Sequence, residues 1–509
     1  MRFVSWFPLL VVLALPSAAR AENSALAEVD CWFEAPAHVT VECYRLTVPE
    51  TRDFDLSVGP GQTLSLPVAI IRAGKGARPD PVVYLAGGPG DGAWLDPDRV
   101  EWWWEFVANT EWPRQRDLIL YDQRGSGLVE PRIDCQELEV IALDLLTTSD
   151  AALAAKLQRE AAAACAKRLV EEGHNPGAYT SRDSAADLHD LFQALNVPAW
   201  NVYGLSYGTR LGLEYMRQYP DDIRSVILDS VIPPEAQFLE GDAAVTDRAF
   251  RMVFDACAQE GPCRIRYPDL GARLTALVQR LDAEPLILAR PHPDGDGSVK
   301  IVVDGNFLIG RLFTLLYNRA DIEIVPQVID FYDRGVEAEI ARDVDEYIAD
   351  YLGRADFGDA MFLGVHCQEE VPFNDMAKAL SAYRRYPLLA GLAVGGESES
   401  FAETCAAWRA ALPPQPLRAS DNEPVTSELP TLLLSGLYDP VTPPAFARMA
   451  AAHLVNSYYL EFDGIGHDVL GNDACANVIA RDFLERPRSP PRNICLGASI
   501  PPDFAKPVR

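Results

Sequence analysis

The chain has 509 residues, 48% hydrophobic and 23% charged, with Lys+Arg 45 against Asp+Glu 74 for a formal net charge of −29. That apolar content can fill a core and excludes disorder as the main state. The acidic balance repels phosphate backbones and argues against a nucleic-acid partner.

Residues Met1–Ala21 read as a secretory signal: Arg2, the apolar run Leu9–Leu15, then Ala19-Arg20-Ala21 as a small-x-small cleavage site. The expected mature protein is therefore secreted or periplasmic, after cleavage near Ala21. No later apolar run reaches the roughly 18 residues of a membrane span. No Cys follows the cleavage site, which argues against a lipid anchor.

Short apolar runs follow. Leu64–Ile71 alternates like a strand, whereas Pro81–Ala86 and Asp117–Tyr121 are apolar throughout and end in glycine-rich sequence. Runs that are apolar on both faces predict central strands of a mostly parallel sheet covered by helices. Glu101-Trp-Trp-Trp-Glu105 reads as aromatics divided between core and helix packing, with a pocket lining as the alternative. Asp187–Leu195 has helical spacing. A strand at Trp200–Tyr203, a helix from about Thr209 to Tyr219 and a strand at Ser225–Leu228 come next. This alternation predicts an α/β fold.

From Pro233 onward the period becomes helical, as in Leu274–Leu281 and Arg342–Leu352. A hairpin, Leu286–Arg290 with Val299–Val303, is expected around Asp294-Gly-Asp-Gly297; that turn lacks the later ligands and closing Glu of a calcium loop. Strand character returns at Thr431–Ser435 and Ser457–Phe462, and a last helix is expected near Ala476–Leu484. The economical division is a signal at 1–21, a core at 22–232, a mainly helical cap at 233–428, and the rest of the core at 429–509.

Ten cysteines remain after the signal: Cys31, Cys43, Cys135, Cys165, Cys257, Cys263, Cys367, Cys405, Cys475 and Cys495. An even count in an exported chain predicts disulfides, with about 945 pairings open to ten cysteines. No CxxC pair and no finger-like His spacing occurs, so neither structural zinc nor another metal is expected.

Gly204-Leu-Ser206-Tyr-Gly208 lies between a predicted strand and helix, the setting of a serine nucleophile on a sharp turn. A Cβ at either glycine is expected to collide with neighbouring backbone. On sheets carrying such a turn the triad runs Ser, acid, His along the chain. That order leaves His453 and His467. His453 falls in the helix-like Phe446–His453, whereas His467 follows the last strand in Asp463-Gly-Ile-Gly-His467. For the acid, Asp439 after Thr431–Ser435 is favoured over Asp229, which ends the earlier Val226-Ile-Leu-Asp229 run. Ala86-Gly-Gly-Pro-Gly90 is placed to offer the Gly88 N–H to an oxyanion, together with that of Tyr207.

Gly87-Gly-Pro-Gly90, Asp122-Gln-Arg-Gly-Ser-Gly127, Gly204-Leu-Ser-Tyr-Gly-Thr-Arg210, Asp439-Pro-Val-Thr-Pro443 and Gly466-His467 occur in this order. Together they resemble the proline iminopeptidase and tripeptidyl aminopeptidase group of α/β-hydrolases, and the exported context resembles its secreted branch. The family often has His before the glycines; here it is Ala86. The resemblance implies cleavage near a free peptide N-terminus with no cofactor: attack by Ser206, proton transfer to His467, and Asp439 fixing the imidazole. It also implies that Asp122 and Arg124 brace the oxyanion loop. His366-Cys-Gln-Glu369-Glu370 resembles the family's Cys-x-Glu segment, which makes Glu369, then Glu370, the candidate anchor for a substrate ammonium; a solvated acidic pair is the alternative. Cys475 and Cys495 bracket the last helix as in this branch. Neighbouring pairs (Cys31–Cys43, Cys135–Cys165, Cys257–Cys263, Cys367–Cys405, Cys475–Cys495) are the simplest scheme. A carboxylesterase using the same triad, and a catalytically dead binding protein on this fold, are the competing readings.

Overall fold

The computed structural model describes residues 25–52, 62–293, 295, 297–353, 356–390, 397–492 and 501–504, with the side chains of 397–399 excepted. The signal at 1–21, Cys495, and Asp294 and Asp296 of the hairpin turn lie outside the described residues.

The strands are β1 (Leu26–Val29), β2 (Val41–Pro49), β3 (Thr63–Ile71), β4 (Arg78–Leu85), β5 (Arg116–Tyr121), β6 (Trp200–Leu205), β7 (Ile223–Asp229), β8 (Leu286–Pro291), β9 (Ser298–Val303), β10 (Thr431–Gly436) and β11 (Ser457–Phe462). Nine of them form one sheet in the order β1-β2-β3-β5-β4-β6-β7-β10-β11. From β5 to β11 all neighbours are parallel; β1, β2 and β3 join antiparallel at the edge.

Alternate side chains of the central strands enter two separate cores, which is why their sequences are apolar throughout. Val83, Ile119, Val202, Val226, Leu228 and Leu433 pack with Leu211 and Tyr215 of the helix Tyr207–Gln218 and with Leu188 and Leu191 of the helix Ser181–Leu195. Val82, Leu118, Leu120, Tyr203, Ile227 and Leu432 pack on the other face against Trp103 and Phe106 of the helix Glu101–Asn109 and Phe483 of the helix Ala474–Glu485. The aromatic triplet divides as expected: Trp103 is buried with its indole N–H on the Ala93 carbonyl, while Trp102 and Trp104 are half-buried.

Among the described residues between β7 and β10 the regular elements are helices, apart from the β8–β9 hairpin. Its larger part has a core of its own, including Phe250, Leu274, Leu308, Leu312 and Ile329. Its later part does not: Met361, Leu363, Cys367, Cys405 and Trp408 join the core of the sheet. An earlier helix, Ala151–Glu171, packs against Glu397–Ala411 of this insertion. Disulfides join Cys31–Cys43, Cys135–Cys165, Cys257–Cys263 and Cys367–Cys405, four of the expected neighbouring pairs. Cys475 is also disulfide-bonded. No described helix is long and apolar enough to cross a membrane.

Candidate active site

The strand β6 runs into Ser206 and the helix Tyr207–Gln218 without a loop. So abrupt a reversal places Ser206 at φ 56°, ψ −122°, a backbone region costly for any residue with a Cβ. Both flanking glycines are required by close approach, as the sequence predicts. A Cβ at Gly204 would overlap the Gly208 carbonyl oxygen, and one at Gly208 the Leu85 carbonyl oxygen. Ser206 is buried, and its N–H donates to the Asp229 carbonyl at 2.9 Å.

His467 Nδ1 lies 2.9 Å from Asp439 Oδ2. Asp439 is fully buried. Its Oδ1 accepts the Val441 and Thr442 amides, both at 2.8 Å, and its Oδ2 accepts the Thr442 hydroxyl at 2.5 Å. Burial pushes the Asp439 carboxyl up; the His467 charge and the bonds from His467 and Thr442 outweigh it, leaving the carboxyl below its usual range. Burial pushes His467 down, but the charge and hydrogen bond of Asp439, with smaller contributions from Asp229 and Asp468, leave the imidazole above its ordinary value. Among the described residues Ser206 Oγ makes no hydrogen bond to the imidazole; such bonds commonly tighten only once substrate is bound.

Among the described residues Asp229 makes no hydrogen bond to the imidazole. Its carboxylate accepts the Val469 N–H at 2.9 Å and that of Leu470 at 2.8 Å, while Ser230 Oγ accepts the Asp468 N–H at 3.0 Å. The turn after His467 is thus fastened to the strand end that also holds the Ser206 amide. His453 lies just past the helix Pro444–Ala451, half-buried, and is not hydrogen-bonded to Asp439.

The glycine loop comes over the serine: a Cβ on Gly87 would sit 3.1 Å from Ser206 Cβ and 3.7 Å from its Oγ. Among the described residues neither the Gly88 nor the Tyr207 N–H has an acceptor, which leaves both donors open. Asp122, buried, accepts from the Ala93 amide at 2.6 Å and the Leu128 amide at 2.7 Å, and Gln123 Nε2 donates to the Ala86 carbonyl at 2.9 Å. Burial pushes the Asp122 carboxyl up to about 6. Arg124 turns away from the glycine loop. It pairs with Asp187 at 2.7 and 2.8 Å and donates to the carbonyls of Glu50 and Ala178, so it fastens the helix Ser181–Leu195 instead.

Three contacts among the described residues tie the insertion to the loops of the site. Arg248 donates to the carbonyls of Leu437 and Asp439, each at 2.6 Å. The Tyr317 carbonyl accepts the His467 amide at 2.9 Å, with ring centroids 5.0 Å apart. The Gly358 amide donates to the Gly90 carbonyl at 2.8 Å.

Glu369 and Glu370 are buried within a stretch of π-helix, His366–Glu370. Glu369 accepts from the Ser181 amide at 2.6 Å, the Ser181 hydroxyl at 2.7 Å and Arg210 Nε at 3.1 Å. Glu370 pairs closely with His366 and lies 3.8 Å from Arg210 Nη1. Neither is a solvated acid, and both already have partners within the chain.

Sequence reasoning missed Thr442, Gln123, Ser181 and Arg210. Only Thr442 left a signal: Asp439-Pro-Val-Thr442 has the composition of a turn closed by Asp and Thr side chains on the backbone.

The family model of the alpha/beta hydrolase fold matches residues 80–474. A tripeptidyl aminopeptidase of Streptomyces coelicolor is 31% identical over 227 residues, 43% of this chain and 40% of that protein. The chain therefore aligns with less than half of that relative's length. The serine protease Hip1 of Mycobacterium tuberculosis is 24% identical over 484 residues, 91% of this chain and 86% of that protein. A proline iminopeptidase of Arabidopsis thaliana is 27% identical over 182 residues, 33% of each.

Proposed function

The chain belongs to the alpha/beta hydrolase fold family, and from that premise we propose that it is an exported serine exopeptidase releasing one or a few residues, such as a tripeptide, from free peptide N-termini. The observation that carries this reading is the buried Asp439–His467 hydrogen bond at the sheet edge that bears Ser206 in its strained turn. The peptidase relatives support a peptide substrate over a simple ester. Disulfides support export, since they persist in oxidising compartments.

In this mechanism Ser206 Oγ attacks the scissile carbonyl as His467 Nε2 takes its proton. Asp439 holds the proton on Nδ1 and stabilises the imidazolium. The Gly88 and Tyr207 amides receive the oxyanion, each worth about 2.7–4 kcal/mol in the transition state. His467 then protonates the departing amine, and water releases the acyl group from Ser206 by the same steps in reverse. The contacts of Arg248, Tyr317 and Gly358 with the three loops support residues 233–428 as a cap that limits what reaches the serine.

Rates on free-amino peptide anilides, their N-acetylated forms and aryl esters, with Ser206→Ala as control, test this. A preference for the free amine that vanishes in Ser206→Ala is expected. Turnover of esters alone would establish the carboxylesterase instead, and absence of Ser206-dependent turnover on all three a binding protein.

A further inference from the structure

The amine that departs when a peptide bond is cut takes its proton from the base, so its nitrogen must come within hydrogen-bond reach of His467 Nε2. A side chain packed on that imidazole is therefore a candidate to meet the departing residue. The insertion supplies one in Tyr317, which follows the helix Gly305–Leu315. The Tyr317 ring centroid is 5.0 Å from that of His467, with the two planes tilted by 56°. His467 is buried, yet Tyr317 is 38% exposed. The Phe313 ring, one helical turn earlier, packs edge-on against it at 5.9 Å.

The backbone fixes this placement. The His467 amide donates to the Tyr317 carbonyl at 2.9 Å. The His467 carbonyl accepts Asn472 Nδ2 at 3.3 Å, and Asn472 Oδ1 accepts the Arg319 amide at 3.4 Å. Gly466 lets the two segments meet, since a Cβ there would overlap the Leu316 carbonyl oxygen. The Tyr317 backbone cannot leave His467 without breaking bonds that hold the base itself.

Reach decides what the ring can touch. An amine nitrogen bonded to Nε2 lies about 4 Å from the imidazole centre, and so within about 9 Å of the Tyr317 ring centre. Aromatic rings pair at centroid distances of about 4.5–7 Å, and one large side chain on the departing residue closes the difference. We infer that Tyr317, backed by Phe313, is the wall against which that side chain rests, and that the enzyme prefers an aromatic or large apolar residue directly after the cleaved bond. This rests on the Ser206 acyl-enzyme of the proposed function. Tyr317 determines specificity and takes no part in the proton transfers.

An amine that attacks the acyl-enzyme must use the same wall, because aminolysis is acylation in reverse. The amine nitrogen bonds to the acyl carbon, the Ser206 ester bond breaks, and His467 passes the amine's proton to Ser206 Oγ. The test turns over an alanine tripeptide anilide in the wild type, Tyr317→Phe and Tyr317→Ala, with phenylalaninamide or glycinamide present, and compares transfer product with hydrolysis product. In the wild type and Tyr317→Phe, phenylalaninamide should capture about three- to tenfold more acyl group than glycinamide at equal concentration; in Tyr317→Ala the two should be captured alike. Each ratio is internal to one acyl-enzyme, so a loss of folded protein does not move it. If Tyr317→Ala does not fold, Tyr317→Thr takes its place with the same expectation. Equal capture of the two amines by the wild type, capture by water alone, or a preference that survives loss of the ring overturns this inference and leaves the peptidase reading standing. A wild type that does not turn over the anilide overturns both.

Discussion

Asp229 closes the turn behind the histidine: its Oδ2 accepts the Leu470 N–H at 2.8 Å, and its carbonyl accepts the Ser206 N–H at 2.9 Å. One residue at the end of β7 therefore fixes both the proposed nucleophile and the loop carrying the proposed base. Asparagine in its place would keep one acceptor and turn an NH2 toward a backbone N–H. Asp229→Asn is expected to lower kcat about 100-fold by displacing His467, with KM little changed. It should also cost about 1–3 kcal/mol of stability from the orphaned buried amide. Steady-state kinetics with denaturant unfolding check both; an unchanged kcat would remove Asp229 from the positioning of His467.

The imidazole must be neutral to accept the serine proton, and the balance at His467 favours its charged form. Burial alone would push it down, but the Asp439 charge and hydrogen bond prevail. The acid limb of kcat/KM should therefore fall as pH drops through a midpoint above the ordinary histidine value of about 6.5. Asp439→Asn leaves burial opposed only by the smaller contributions of Asp229 and Asp468, moving that midpoint to lower pH while kcat falls about 10⁴-fold from loss of the correct tautomer. A limb at or below 6.5 in the wild type would contradict this account.

Ser206 adopts φ 56°, ψ −122°, which glycine enters without a steric penalty. Ser206→Gly should abolish turnover yet raise stability by about 1–2 kcal/mol as the strain is relieved. Ser206→Ala keeps the Cβ, so it should be equally inactive without that gain. Thermal unfolding of the two variants, with the wild type, decides it; equal melting temperatures would mean that the turn is unstrained.

The parts of the fold legible in the sequence are those whose constraint is local. β4, β5, β6, β7 and β10 read clearly because both of their faces are buried. Gly204 and Gly208 announced the turn because close backbone approach admits only glycine. The antiparallel edge strands β1 and β2 gave no such sign, since each mixes half-buried and exposed positions. Within the site, Ser206, His467 and Asp439 stand in glycine-rich or turn-forming segments at strand ends. The partners that define Glu369 lie far along the chain, Arg210 at a separation of 159 residues and Ser181 at 188, and no spacing rule connects them.

Glu369 and Arg210 are buried at 4% and 2% exposure, and breaking such a pair from one side leaves an uncompensated charge. Glu369→Gln should therefore lower the melting temperature and cost at most about 3–5 kcal/mol, because Arg210, in the helix that follows Ser206, loses its nearer carboxylate and keeps Glu370 at 3.8 Å. The ratio of kcat/KM for free-amino and N-acetylated substrates should stay near wild type in the folded fraction. Pairing Glu369→Gln with Arg210→Met should recover part of the stability, because the second change removes the weakly paired charge. A Glu369→Gln protein that melts like the wild type but no longer distinguishes the free amine would reverse the assignment, making Glu369 the ammonium anchor.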